Sequence, residues 1–315
     1  MLRPLGLLDL AHVHRLGDKA ISWRAEHALT GTHNPLREAL AGLVMGQRFQ
    51  TFVWKDEDGE ASAFVQLYLE EGNPHAQVVF VGPASSNGAI QLADDGVYLS
   101  LFDQLAVEAG RRGIHSLVTE ADESGRELTL LRRAGFAVYT RQEVWVLHQA
   151  PDQPKVDLLR PCKTMDDWDI QLLYANTVPR LIQLVEPTPP THYGAGWVLY
   201  EGNELAGFVH LFDGPAASWL RFYIHPRAEV CADDIVSAAV QIKPPTADHP
   251  VYCCLRRYQS WLQSSLARVG FQLVCSQAVM ARHTVQHVQK PIHDLATVLD
   301  TPGVKRAAGS TTMTR

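Results

Sequence analysis

Cysteine is absent from the first half of this chain. The five that follow, Cys162, Cys231, Cys253, Cys254 and Cys275, are odd in number and contain no CxxC pair. That argues against a disulfide framework or a structural zinc site and suits a reducing, cytoplasmic setting. No apolar run approaches the roughly 20 residues that span a bilayer, so no membrane partner is expected. The opening stretch, MLRPLGLLDLAHVHRL, is interrupted by Pro4, Asp9 and two histidines and is not expected to act as a signal peptide. Positive charge is also short. The net charge is −6, and all of the deficit lies in residues 1–150, with 13 Lys+Arg against 19 Asp+Glu; the remainder carries 15 of each. Phosphate binding needs a basic face, so nucleic acid is not the expected partner. A weakly acidic first half fits either attraction of a cationic substrate or a plain solvated surface.

What is present is a globular composition, 46% hydrophobic and 20% charged, over 315 residues, enough for two domains with separate cores. An internal repeat divides the chain. Leu2-Arg3-Pro4 recurs as Leu159-Arg160-Pro161, Ala63–Leu67 as Gly207–Leu211, and Leu131-Arg132-Arg133-Ala134-Gly135-Phe136 as Leu266-Ala267-Arg268-Val269-Gly270-Phe271, in the same order each time. Both copies read as an opening strand (about 2–5 and 155–160), a helical region, and a β-hairpin: Phe49–Lys55 with Ala61–Leu69, and Trp197–Tyr200 with Leu205–Phe212. The hairpin turns, Asp56–Gly59 and Glu201–Asn203, are charged or polar and contain glycine. A third strand follows (77–81; 218–225), then a helix (96–112; 231–241), a buried strand (115–119; 251–255) and an amphipathic helix. That helix carries Leu128, Leu131 and Ala134 in one copy, and Trp261, Leu262, Leu266 and Val269 in the other. Gly135 and Gly270 fall where a left-handed cap ends it, and Phe136 or Phe271 opens the last strand. The expected boundaries are residues 1–148, a Pro-containing linker at 149–154, a second domain at 155–285, and a disordered tail at 286–315.

This series of elements resembles the GNAT (GCN5-related N-acetyltransferase-like) acyltransferase superfamily. The residues that carry the likeness are Ala109–Gly113 running on to Gly135-Phe136, and Phe222–Pro226 with Gly270-Phe271. The resemblance implies an α/β (α+β) fold of two tandem, degenerate GNAT-like domains, each a mixed, mostly antiparallel sheet flanked by helices. It also implies acetyl-CoA or another acyl-CoA held between the splayed fourth and fifth strands, and an acceptor that is a small-molecule or protein amine. In the first copy the cofactor would meet Val79, Val81, Ser86, Asn87, Gly88 and Ala89, a stretch with glycines but without the family's Gln/Arg-x-x-Gly-x-Gly/Ala pattern. Such a loop works by offering backbone N–H groups to a pyrophosphate at a helix N-terminus. The second copy has Pro226–Asp234 there, glycine-free with three carboxylates, and is expected not to bind CoA in that manner.

The family's tyrosine acid, four residues before the Gly-Phe glycine, is Leu131 in one copy and Leu266 in the other. Tyr258 is a candidate substitute and Glu120 a candidate base, with Glu70, Glu71, Asp122, His210 and His225 also near the expected clefts. The alternative role for Tyr258 is packing, and for the histidines a satisfied core or surface position. His12-x-His14 and His283-x-x-x-His287 have ligand-like spacings on a strand and a helix but lack further ligands, so no metal is expected. The expected function is that of an acyl-CoA-dependent N-acyltransferase with at most the first copy active; the alternative is a catalytically inactive tandem module that binds a ligand or partner.

Overall fold

The structure, a computed structural model, describes residues 1–17, 20–31, 34–45, 48–55, 61–70, 72–82, 95–150, 157–189 and 195–284. The first half runs β1 (Leu2–Pro4), α1 (Leu10–Gly17), β2 (Ile21–Ser22), α2 (Ala25–Thr30), α3 (Pro35–Met45), β3 (Phe49–Lys55), β4 (Ala61–Leu69), β5 (His75–Gly82), α4 (Asp95–Arg111), β6 (Ser116–Asp122), α5 (Arg126–Arg133) and β7 (Ala137–Leu147). The second half repeats the series without a counterpart of β2 and with two helices, not three, before its hairpin. It runs β8 (Arg160–Pro161), α6 (Asp167–Thr177), α7 (Arg180–Gln183), β9 (Ala195–Glu201), β10 (Glu204–Asp213), β11 (Ser218–Ile224), α8 (Ala232–Ile242), β12 (Val251–Arg256), a 3₁₀ helix (Arg257–Leu262), α9 (Gln263–Val269) and β13 (Gln272–His283).

Most elements form where local chemistry places them. Gly135 and Gly270 adopt φ of 80° and 108°, the left-handed caps that stop α5 and α9 so that Phe136 and Phe271 can enter the core. Two expectations are corrected. The opening strand of the second half is only Arg160–Pro161, because Leu158 and Leu159 pack against the second core instead of pairing, and Pro161 has no N–H to donate. Trp261 does not share the buried stripe of Leu262, Leu266 and Val269 and is 42% exposed. The chain there winds as a 3₁₀ helix before α9 begins, and a period near three breaks the α-helical stripe. The Asp56–Gly59 turn, linker residues 151–154 and tail 286–315 lie outside the described residues.

Each half has its own apolar core on one face of the sheet. Leu101, Phe102 and Leu105 of α4 pack on Val65, Leu67 and Leu117 in the first. Ile235, Val236 and Ala239 of α8 pack on Val209, Leu220 and Cys253 in the second. Leu131 and Leu266 are fully buried in these cores, and truncating such a side chain to alanine costs about 2–5 kcal/mol.

The strands form one sheet in the order β1-β3-β4-β5-β6-β13-β7-β12-β11-β10-β9-β8, with β2 on β5. The centre is exchanged. β13, the last strand of the second half, pairs with β6 of the first from Gln277↔Asp122 to His283↔Ser116. β7, the last strand of the first half, pairs with β12 of the second from Val251↔Leu147 to Arg256↔Gln142. The two exchanged strands pair with each other between them. A half removed at the linker would leave an open, apolar strand edge, which a chain tends to cover by aggregation. A protease site inserted between Gln149 and Pro154 and then cut should therefore leave two fragments that co-elute on native gel filtration and separate only in denaturant. Residues 1–148 expressed alone should be insoluble.

Candidate functional site

β5 and β6 run parallel and pair from His75↔Ser116 to Gln77↔Val118. Beyond that they diverge, at a bulge where Val79 is the extra residue between Val78↔Leu67 and Phe80↔Gln66. The gap is filled by the chain itself. β2 pairs antiparallel with β5, Ile21↔Val81 and Ser22↔Phe80. The Trp23 N–H donates to Val79 O at 2.9 Å, and Trp23 O accepts from the Glu120 N–H at 3.2 Å. The Trp23 indole stacks on Phe102 with centroids 5.5 Å apart and is buried. Residues 21–23 thus lie between the splayed strands as a short third strand, hydrogen-bonded to both.

In the second half β11 and β12 pair from Ser218↔Val251 to Arg221↔Cys254 and then part. Here the Gln259 side-chain amide donates to Phe222 O. The loop after β11 also has its donors engaged: the N–H groups of Glu229 and Val230 donate to the Glu201 carboxylate at 3.0 and 2.9 Å.

A cavity of about 390 Å³ lies across the seam between the halves. Its floor takes residues from strand after strand: Tyr68, Gln77, Glu120, Val279, Tyr139, Arg256, Arg221 and His210. Glu26 and His27 of α2 and the segment 185–189 also line it. Glu26 is 3% exposed and pairs with Arg221 at 2.7 Å and Arg24 at 3.1 Å. Burial alone would raise its pKa, but Arg24, Arg221 and His210 outweigh burial and hold the carboxyl down at about 2. Glu186 pairs with Arg256 at 2.8 Å and accepts from the Tyr139 hydroxyl at 2.8 Å. Burial, then the Glu186 charge, pushes the Tyr139 phenol well up, so it stays protonated as a donor. Burial, reinforced by His115, lowers the pKa of His75, which favours the neutral ring.

The candidate residues sort as follows. Glu120 lines this cavity, its carboxylate accepting the Ala25 N–H at 2.8 Å. His210 and Glu70 line it too. Tyr258 packs against the Tyr174–Val178–Ile182 cluster, and burial raises its pKa. Val79 and Val81 lie on β5, on the edge that β2 covers. Ser86, Asn87, Gly88, Ala89 and Glu71 lie outside the described residues. His12 and His14 are two apart on a helix, not a strand, and so face different directions. Among the described residues no three of His, Cys, Asp and Glu come together as metal ligands, and no helix is long and apolar enough to cross a membrane. Sequence reasoning missed Arg24, Glu26, Glu186, Arg221 and Arg256, charged residues scattered over both halves without a shared motif.

No family model and no curated protein matches the chain. Among solved structures it is similar to a GCN5-related N-acetyltransferase from Sphaerobacter thermophilus: 12% identity, TM-score 0.53, 91% of this chain and 96% of that one. It is also similar to a tandem GNAT protein from the clavulanic acid biosynthesis pathway: 14% identity, TM-score 0.51, covering 91% and 99%. The fold is a tandem GNAT fold. A GNAT glucosamine N-acetyltransferase region of a fungal multi-domain beta-N-acetylglucosaminidase matches with TM-score 0.55 at 13% identity, over 90% of this chain and 38% of that one. On the GNAT fold the gap between β5 and β6 is the place where the resemblance puts acyl-CoA, and residues 21–23 occupy it here.

The Glu26 pairing makes stability depend on pH. The folded carboxyl lies below its usual value of 4.5, so its contribution is complete above pH 4.5 and is lost as pH falls towards about 2. The shift corresponds to about 3 kcal/mol. Urea unfolding of Glu26→Gln should show a loss of that size at pH 7 and a flatter dependence than wild type between pH 4.5 and 2.

Proposed function

We propose that this GNAT-fold chain is a ligand-binding protein whose site is the cavity between its halves, and that it does not use acyl-CoA in the manner of the family. The observation that carries this reading is the seating of Trp23 between β5 and β6, hydrogen-bonded to Val79 and Glu120. A pantetheine arm entering there would have to displace a paired segment and a buried indole, with the loss of their hydrogen bonds and burial. The same direction is supported in the second half by Glu201, which already accepts the loop N–H groups that would face a pyrophosphate. The fully buried Leu131 and Leu266 stand where the family has its tyrosine acid.

A second reading keeps acyl transfer to a small-molecule or protein amine in the first copy. It is favoured by the bulge at Val79, which holds the strands apart, and by the likeness to acetyltransferase folds. It requires residues 21–23 to leave the gap when acyl-CoA enters. Calorimetric titration of the full chain with acetyl-CoA and with free CoA separates the two. No binding is expected from either. Binding of about one equivalent, lost in Gly88→Glu with the melting temperature preserved, would establish the transferase reading and overturn ours.

A further inference from the structure

The cavity is lined by buried polar atoms that have no partner within the protein. Arg24 Nη1, His75 Nδ1, Thr119 Oγ1 and Trp23 Nε1 all belong to its lining residues. Native interiors leave few such groups, and a cluster of them around one cavity marks a place where something polar belongs. Its volume of about 390 Å³ falls in the range of about 300–1,000 Å³ usual for small-molecule sites.

The charges in the lining form two clusters, each of mixed sign. In one, Arg24 and Arg221 share a single carboxylate, Glu26, so one positive charge is left over, and Arg24 Nη1 is the buried donor that carries no bond. In the other, Glu120 and Glu186 share a single guanidinium, Arg256, which feels both carboxylates. Arg256 pairs directly with Glu186, while Glu120 is met only by the Ala25 N–H. One negative charge is left over there. Arg48 and Glu70, also lining the cavity, add one charge of each sign. Arg24 and Glu120 are both largely withdrawn from solvent without being fully buried. A desolvated charge without a direct counter-charge is costly, and a ligand carrying both signs would answer both clusters at once.

Resting on the reading of this cavity as the binding site, we propose that its ligand is a small amino-acid-like zwitterion, with its carboxylate at Arg24 and Arg221 and its ammonium at Glu120 and Glu186. A guanidinium fork suits a carboxylate because two parallel N–H donors match its two oxygens. The carboxylates of Glu120 and Glu186 suit an ammonium, which has three donors and no acceptor.

Thermal-shift screening of the full chain with the free α-amino acids and with ω-amino acids, followed by calorimetry of the best, tests the proposal. The probes are paired with the primary amine and the carboxylic acid of the same skeleton. At least one zwitterion should bind with one equivalent, and its amine and acid counterparts should bind at least about tenfold more weakly, since each leaves one charged hydrogen-bonding end unmet. Arg24→Gln should weaken the zwitterion and the acid but not the amine; Glu120→Gln should weaken the zwitterion and the amine but not the acid. Both glutamines keep a polar group in place, and Glu26 retains Arg221 in the first variant. If either variant fails to fold, the wild-type affinity ratios alone decide. An amine or an acid binding as tightly as the zwitterion overturns the ligand class and leaves the cavity standing as a binding site. No binding by any probe also overturns the ligand class. No probe binding while acetyl-CoA does overturns the cavity reading as well.

Discussion

The structure depends on an exchange of two strands. β7 and β13 each follow a helix of their own half, cross the midline and complete the sheet of the other. Sheet edges left open are unstable in water unless blunted or covered, so neither half can present a finished sheet alone. Their mutual pairing, from Gln272↔Val146 to Ala281↔Ala137, joins ten other main-sheet strands into a continuous surface. The two cores remain separate, one beneath α4 and the other beneath α8. The exchanged strands bind the halves in packing as well as in hydrogen bonding: Ala278 and Met280 of β13 enter the first core, and Leu147 of β7 enters the second.

That seam creates the cavity. Because the sheet continues without a break, residues far apart in sequence stand side by side on it: Glu120 on β6, Val279 on β13, Tyr139 on β7, Arg256 on β12. The same geometry brings Glu26 of the first half to Arg221 of the second, 195 positions away. An ion pair this buried is poor evidence for added stability, since desolvation offsets much of the attraction. It does make the arrangement specific, because separating the halves would leave charges without partners.

The relation between fold and chemistry turns on Trp23. A GNAT fold is read from strand order and hairpins, but the chemistry depends on what lies between two diverging strands. Here a bulge parts β5 from β6, and a segment of the chain, anchored by two backbone hydrogen bonds and an indole on Phe102, lies in the space. The fold is retained while the cleft is taken by the protein's own backbone.

The elements and their repetition are legible in the residues alone. Alternation in the hairpins, the apolar stripe of α5, and the Gly-Phe caps at Gly135 and Gly270 are local signals, fixed by side-chain period and backbone φ within a few residues. Where a local rule met a change of helix type, as at Trp261, the reading failed by a single residue. Of the site, Glu120, His210 and Glu70 were legible as ionisable residues at strand ends or on strands, but the cluster they join was not. Which strands cross the midline, the entry of residues 21–23 into the gap, and the meeting of Arg24, Glu26, Glu186, Arg221 and Arg256 in one cavity emerge in the folded chain alone. The reason is physical: these are long-range pairings whose partners lie up to about two hundred residues away, and no spacing rule in a single chain encodes them.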